Sequence, residues 1–175
     1  YRNETGLKVA DLGTGSGAIL VGFLYYCRDA VGVGVDISTE ALKIAEENGQ
    51  NLKITDRVEW RQGDYLKAFD EEDIFDGIFS NPPYIPTKDI GGLSREVKHE
   101  PRLALDGGTD GLYFYHLLAK GAAEHLKPGG FLAVEFGIGQ ATDILEMFRK
   151  SAQYEDFEVI KDYGGIERAL YCRKK

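Results

Sequence analysis

The tetrad Asn81-Pro82-Pro83-Tyr84 is the part of the sequence whose side chains are best suited to chemistry. It follows the apolar run 74–79, which predicts a buried strand, and two consecutive prolines end that strand because they donate no ladder hydrogen bonds. Asn81 donates and accepts in one plane, the Pro82 carbonyl only accepts, and Tyr84 offers a flat apolar face. The tetrad therefore suits a planar substrate bearing an NH2 group, with a rigid strand-to-loop turn as the alternative.

A second candidate site is the glycine turn, residues 13–17, which lies between a strand pattern at 7–12 and the apolar face of a helix. Glycine permits positive φ and lets a ligand approach the backbone closely. The helix N-terminus adds free N–H groups and partial positive charge, which favour an anionic ligand group. A turn without a ligand is the alternative interpretation.

Acidic residues follow two further predicted strands. Asp36 ends the strand pattern 30–35, where a carboxylate can bind both hydroxyls of a ribose or cap the next helix. Asp64 follows the strand pattern 58–61 and could accept from an exocyclic adenine amine, with Tyr65 packed on the ring. Asp64 alone could equally be a turn residue. Four polar motifs in succession, each at a strand end, nevertheless favour one shared site.

These motifs together resemble those of a class I S-adenosylmethionine-dependent methyltransferase. Residues 100–112 (EPRLALDGGTDGL) and 162–168 (DYGGIER) further resemble the HemK/PrmC family, whose members methylate the side-chain nitrogen of a glutamine in peptide-chain release factors. The tetrad alone is shared with DNA and RNA amino-methyltransferases. The segment 100–112 is the more discriminating part of the resemblance.

The resemblance implies a cofactor, a substrate and a set of site residues. S-adenosyl-L-methionine would be the cofactor, S-adenosyl-L-homocysteine the product, and the Gly-Gly-Gln glutamine of a release factor the acceptor. The implied catalytic residues are Asn81, Pro82, Pro83 and Tyr84. The implied cofactor-binding residues are Asp11, Gly13, Thr14, Gly15, Ser16, Gly17, Asp36, Ile37, Asp64, Tyr65 and Asn81. No metal ion is expected.

Composition and charge restrict the class of protein. The 175 residues carry a net charge of −8, whereas nucleic-acid enzymes usually have a basic footprint, so no direct nucleic-acid contact is expected. No apolar run reaches membrane-spanning length and no signal peptide is recognisable. Cys27 and Cys172 have neither metal-ligand nor disulfide-framework spacing, which favours a reducing, cytoplasmic location.

Alternating strand and helix patterns over residues 7–136 predict a parallel sheet with helices on both faces. The connection 162–167 is too short for a crossover helix, which predicts an antiparallel hairpin at the end of the chain. The resemblance implies a Rossmann-like fold: a seven-stranded, mostly parallel sheet with a reversed C-terminal strand. The predicted helices span 38–51, 110–126 and 140–151; the later strands span 131–136, 157–160 and 169–172.

Two features of the organisation remain expectations. Residues 1–175 are expected to be one catalytic domain without the helical N-terminal substrate-recognition domain of the family. Residues 85–109 are long for a connection and are expected to form a lid or a substrate-facing segment.

Three other functions stay open: a DNA or RNA amino-group methyltransferase, an NAD-dependent oxidoreductase suggested by the loose G-x-G-x-x-G/A match at 13–18, and a binding module without activity.

Overall fold

A seven-stranded mixed sheet forms the centre of the computed structural model, which describes residues 5–94 and 100–175. The strand order is β3-β2-β1-β4-β5-β7-β6; β7 is antiparallel to β5 and β6, and the other neighbouring strands pair in parallel. The predicted sheet with one reversed strand is therefore confirmed. The strands are β1 (Lys8–Leu12), β2 (Val31–Asp36), β3 (Val58–Gln62), β4 (Phe75–Ser80), β5 (Leu126–Glu135), β6 (Tyr154–Lys161) and β7 (Glu167–Lys174).

Helices cover both faces of this sheet, as predicted. The α-helices are α1 (Ala18–Tyr26), α2 (Thr39–Asn51), α3 (Arg102–Leu105), α4 (Tyr113–Gly121) and α5 (Ala141–Lys150). On one face α4 and α5 bury apolar side chains such as Leu118 and Phe148 against the sheet. On the other face α1 buries Leu20 and Leu24 in a separate core. The two cores hold the carboxyl ends of β1 and β4 side by side.

The helix predicted at 110–126 is too long. Helix α4 ends at Gly121 and a 3-10 turn, Ala122–His125, follows it. Residues 127–130 do not separate a helix from a strand, because β5 already begins at Leu126, which pairs with Phe75. The register then shifts, so these four residues form a bulge within β5, with Gly129 at φ 73°. The sequence Lys-Pro-Gly-Gly interrupts the ladder without ending the strand.

Part of the long connection 85–109 is regular structure. A 3-10 turn spans Thr87–Gly92, and Ile85 forms a parallel bridge with Asp106. The Ile85 amide donates to the Leu105 carbonyl at 3.0 Å, and the Gly107 amide donates to the Ile85 carbonyl at 2.9 Å. These bonds tie the start of the connection to its end, while residues 95–99 lie outside the described part. Its role as a lid stays a prediction.

The described residues show no sign of a membrane span or a metal cluster. Within 5–94 and 100–175, no helix combines the length and the hydropathy that crossing a membrane requires. The same residues contain no group of three or more His, Cys, Asp or Glu side chains arranged to hold a metal ion. Cys27 and Cys172 are both free thiols, and Cys172 is buried in β7.

Candidate active site

The carboxyl ends of β1 and β4 border a cavity of about 450 Å³. The two strands are neighbours in register, with Leu12 opposite Ser80, and the Ser80 hydroxyl donates to the Leu12 carbonyl at 2.8 Å. The glycine turn follows β1 directly and the tetrad follows β4. Because these strands are paired, the two motifs lie side by side and both line one cavity at the predicted edge of the sheet.

The conformation of the glycine turn explains its three glycines. Gly13, Gly15 and Gly17 all have positive φ, at 71°, 55° and 76°. A Cβ on Gly13 would lie 2.8 Å from the Tyr65 hydroxyl, and one on Gly17 would lie 3.0 Å from a side chain of α2. A Cβ on Gly15 would meet nothing within 4 Å. Gly13 and Gly17 thus serve packing, whereas the space beside Gly15 is open to a ligand.

Hydrogen bonds to β2 hold the turn in place. The amides of Gly13 and Thr14 both donate to the Val35 carbonyl at 2.9 Å. The Gly15 amide donates to Asp36 Oδ2 at 2.8 Å. The turn is therefore rigid before any ligand binds, because neighbouring backbone and a carboxylate fix three of its first N–H groups.

Asp11 carries an unsatisfied acceptor at the cavity wall. Its side chain is 1% exposed, and its Oδ2 accepts from the Thr14 hydroxyl at 2.7 Å. Its Oδ1 is buried and has no hydrogen-bond partner among the described residues. Burial raises the pKa of this carboxyl to about 6, against the lowering effect of the Thr14 hydrogen bond. Asp11 borders the cavity, and a buried carboxylate favours a cationic donor as a further partner.

Asp36 is placed at the end of β2, as predicted, but its carboxylate already has two backbone partners. Oδ2 accepts from Gly15, and Oδ1 accepts from the Ser38 amide at 2.9 Å. Each oxygen keeps a second lone pair, so further acceptance from a hydroxyl is chemically open. Neither Asp36 nor the exposed Ile37 lines the cavity itself, and their contact with a ribose stays a prediction.

Asp64 and Tyr65 lie outside the cavity lining. Asp64 forms an exposed ion pair with Lys67. The Tyr65 ring stacks on Phe114 with 4.5 Å between centroids, and its buried hydroxyl lies near Ser80 without reaching hydrogen-bond geometry. Burial raises the pKa of Tyr65. In this structure the Tyr65 hydroxyl packs against Gly13. Stacking of the Tyr65 ring on an adenine stays a prediction.

The tetrad forms a second wall of the same cavity. Asn81 is exposed to the cavity, and no hydrogen bond joins its side chain to any residue within the described ranges. Pro82 is buried and Tyr84 half-buried, and both also line the cavity. Pro83 is buried behind them, with its carbonyl towards Gly107. The structure thus brings the Asn81 carboxamide, Pro82 and the Tyr84 ring together on one surface of the cavity.

Some lining residues were not predicted from the sequence. They are Ala18, Ile19, Ile85, Glu100, Ala104 and Leu105. Residues 100–105 lie within the segment that carried the family resemblance, but no local pattern there indicated which positions face the cavity. They reach it because the Ile85–Asp106 bridge folds α3 back beside the tetrad.

Comparison with known proteins identifies the class to which this fold and site belong. The family model described as "Methyltransferase domain" matches residues 3–135. The chain therefore belongs to the methyltransferase domain family, and the predicted methyltransferase class is confirmed. The crystal structure of a methyltransferase from Pyrococcus furiosus agrees with this fold at a TM-score of 0.72 and 23% identity, covering 98% of this chain and 76% of that one.

Curated relatives carry a more specific name. A release factor glutamine methyltransferase from Bradyrhizobium diazoefficiens is 46% identical over 95% of this chain and 56% of its own length. The protein of the same name from Moorella thermoacetica is 42% identical over 95% of this chain and 59% of its own length. These names agree with the HemK/PrmC resemblance. The chain spans somewhat more than half the length of these relatives.

Proposed function

We propose that this chain transfers a methyl group from S-adenosyl-L-methionine to the side-chain amide nitrogen of a glutamine in a protein. The proposed acceptor is the Gly-Gly-Gln glutamine of a peptide-chain release factor. The carrying observation is the Asn81 carboxamide beside Pro82, which has no hydrogen-bond partner within 5–94 and 100–175 and lines the same cavity as the glycine turn. The names of the relatives, release factor glutamine methyltransferase, support the same substrate.

The residues of the glycine-turn wall fit this cofactor. The methionine end of S-adenosyl-L-methionine carries an ammonium group, which would satisfy the unpaired Oδ1 of Asp11. Its carboxylate suits the N-terminal end of α1, where N–H groups and the helix dipole favour an anion. The open space at Gly15 admits a ligand against the backbone. When bound, the cofactor supplies an electrophilic methyl group on a sulfonium.

The tetrad would orient the acceptor amide. An amide nitrogen is a weak nucleophile because its lone pair is delocalised into the carbonyl, so holding it in line with the methyl is the main task. Asn81 Oδ1 and the Pro82 carbonyl would each accept one N–H of the glutamine side chain, and Tyr84 would pack against its plane. Such orientation can contribute about 7–11 kcal/mol. The two acceptors also favour positive charge developing on the nitrogen.

No dedicated base is required in this scheme. The methylated amide becomes strongly acidic once it is cationic, so it releases its proton readily. Among the described residues that line the cavity there is no histidine. His125 instead lies at the amino ends of β4 and β5, away from the cavity, with its Nδ1 3.0 Å from the Asp73 carbonyl oxygen. The chain therefore contributes binding and orientation, with the proton leaving to water.

The direct test is methyl transfer from labelled cofactor to purified release factor. We expect label on the wild-type factor and none on a factor whose Gly-Gly-Gln glutamine is replaced by alanine. A parallel reaction with DNA and RNA oligonucleotides tests the main alternative substrates. Equal labelling of both factors, or labelling of the nucleic acid alone, would refute the proposed acceptor.

A further inference from the structure

The Gln140 side chain joins three separate segments of the chain behind the tetrad. Its Oε1 accepts from the Gly137 amide at 2.8 Å, just after β5. Its Nε2 donates to the Tyr84 carbonyl at 3.0 Å and to the Gly111 carbonyl at 3.3 Å. Both N–H groups and the carbonyl of one half-buried carboxamide are thus engaged with backbone.

The backbone around this joint is packed so closely that it has little room to shift. A Cβ on Gly111 would lie 2.4 Å from the Tyr84 carbonyl oxygen and 2.8 Å from Gln140 Nε2. A Cβ on Gly137 would lie 2.9 Å from the Tyr84 ring and 3.0 Å from Gln140 Oε1. The two glycines let the three segments meet, and Gln140 supplies the hydrogen bonds between them.

We infer that Gln140 is a positioning residue for the acceptor wall: by holding the Tyr84 carbonyl it sets the place of Asn81 and Pro82. The prolines transmit this constraint, because their fixed φ leaves the backbone between Tyr84 and Asn81 with few ways to adjust. Gln140 does not line the cavity, so it acts through the tetrad and touches no substrate. The inference rests on the proposed function for its catalytic consequence.

Two substitutions separate the hydrogen bonds from the packing. Gln140→Glu keeps the shape and the acceptor for Gly137 but presents oxygen to two carbonyls. Gln140→Met keeps the length of the side chain and, unlike Gln140→Glu, adds no charge, but it removes all three hydrogen bonds. Because misplacing a reacting group by about 1 Å can cost about 100-fold in rate, we expect both variants to lose about 10- to 100-fold in kcat. Affinity for S-adenosyl-L-homocysteine should stay within about twofold, since the glycine turn is untouched.

Gln153 provides matched controls. Its Nε2 donates to the Lys120 carbonyl at 3.2 Å, next to the amino end of β6 and away from the cavity. Gln153→Glu and Gln153→Met make the same chemical changes and should leave kcat unaltered. Turnover is expressed per site that binds S-adenosyl-L-homocysteine, so a variant that merely folds less well keeps its kcat. Wild-type kcat per site in both Gln140 variants would overturn the inference.

A second readout does not depend on the reaction. The amides of Ile85 and Gly107 bond within the segment that Gln140 helps to hold against the tetrad. Hydrogen exchange at these two amides should quicken in Gln140→Met and stay unchanged in Gln153→Met. Unchanged exchange in Gln140→Met would overturn the positioning role. If the wild-type protein methylates no glutamine, the proposed function fails while this measurement still decides the role of Gln140.

Discussion

The two walls of the cavity are held in place by different kinds of contact. The first three amides of the glycine turn donate to the end of one neighbouring strand, at Val35 and Asp36, and Asn48 of α2 donates to the Ser16 carbonyl. The tetrad is fixed by three separate segments: the Ile85–Asp106 bridge, Gly111 and Gln140. The first wall is bonded to the strand and helix that come next in the chain, whereas the contacts of the second wall come from segments spread over residues 85–140.

In the proposed function, the two walls have different roles. In that proposal the glycine-turn wall binds the cofactor, because the Asp11 carboxylate and the open space at Gly15 both lie at the cavity. The tetrad is built to orient, because Asn81 is free of partners among the described residues while the backbone behind it is tightly packed. Substitutions in the two walls should therefore affect different kinetic constants.

The largest effect is expected for Asn81→Ala. Removing one preorganised polar contact to the reacting group typically costs about 10²–10³ in rate, so kcat should fall by that factor. Affinity for S-adenosyl-L-homocysteine, measured by calorimetry, should change far less. Asn51→Ala, at an exposed position near the end of α2, is the matched control. Full activity in Asn81→Ala would remove this residue from the mechanism.

Asp36→Ala should show the opposite pattern, with weaker cofactor binding and a smaller change in kcat at saturating cofactor. The Gly15 amide would lose its acceptor, and the loss of such a charged hydrogen bond costs about 1–3 kcal/mol. Calorimetry would compare this variant with Asp29→Ala, which removes an exposed carboxylate elsewhere. An affinity equal to wild type would show that Asp36 neither contacts the cofactor nor holds the turn for it.

Cofactor binding should depend on pH through Asp11. Its pKa in the folded protein is about 6, above the ordinary 3.8, and an ammonium ligand requires the ionised carboxylate. Affinity should therefore approach its full value about one pH unit above the pKa and fall as pH drops through it, by about tenfold between pH 7.5 and pH 5. Calorimetry on Asp11→Asn should show no such slope. The same slope in wild type and Asp11→Asn would assign the titration to another group.

The smallest effect is expected for Tyr65→Phe. The hydroxyl is buried without a hydrogen-bond partner in the described structure, so deleting it should leave stability unchanged or raise it by up to about 1 kcal/mol. Affinity for S-adenosyl-L-homocysteine should stay within about twofold. In the control Tyr154→Phe, loss of the bond to the Leu118 carbonyl should cost about 1 kcal/mol in chemical denaturation. A tenfold loss of affinity in Tyr65→Phe would show that its hydroxyl meets the ligand.

The sheet and the glycine turn were predictable because their signals are local. Apolar runs define the strands, and closely spaced glycines between a strand and a helix predict a tight turn. For residues 127–130 the sequence predicts the end of a helix, because Pro and Gly end most elements. In the structure, the pairing of Leu126 with Phe75 instead includes these residues in β5 as a bulge. Tertiary pairing overrode a strong local signal.

The site was predictable in its position more than in its contacts. Strand ends placed Asp11 and Asn81 on one cavity, because parallel neighbours bring their carboxyl ends together. The same reasoning predicts ligand contacts for Asp64 and Tyr65, which the structure places outside the cavity lining, and those contacts stay a prediction. Gln140 left no local signal, since its partners are backbone groups and two of them, at Tyr84 and Gly111, are far from it in the chain.

The central claim is that the cavity presents a sulfonium methyl from the glycine-turn wall to a flat carboxamide held by the tetrad wall. A crystal structure with S-adenosyl-L-homocysteine tests it most directly. We predict a homocysteine sulfur directed at Asn81 and Pro82, with space between them for one side-chain amide, and an ammonium group on Asp11. A sulfur that points away from Asn81, or a cavity with no space for a glutamine side chain, would contradict the account.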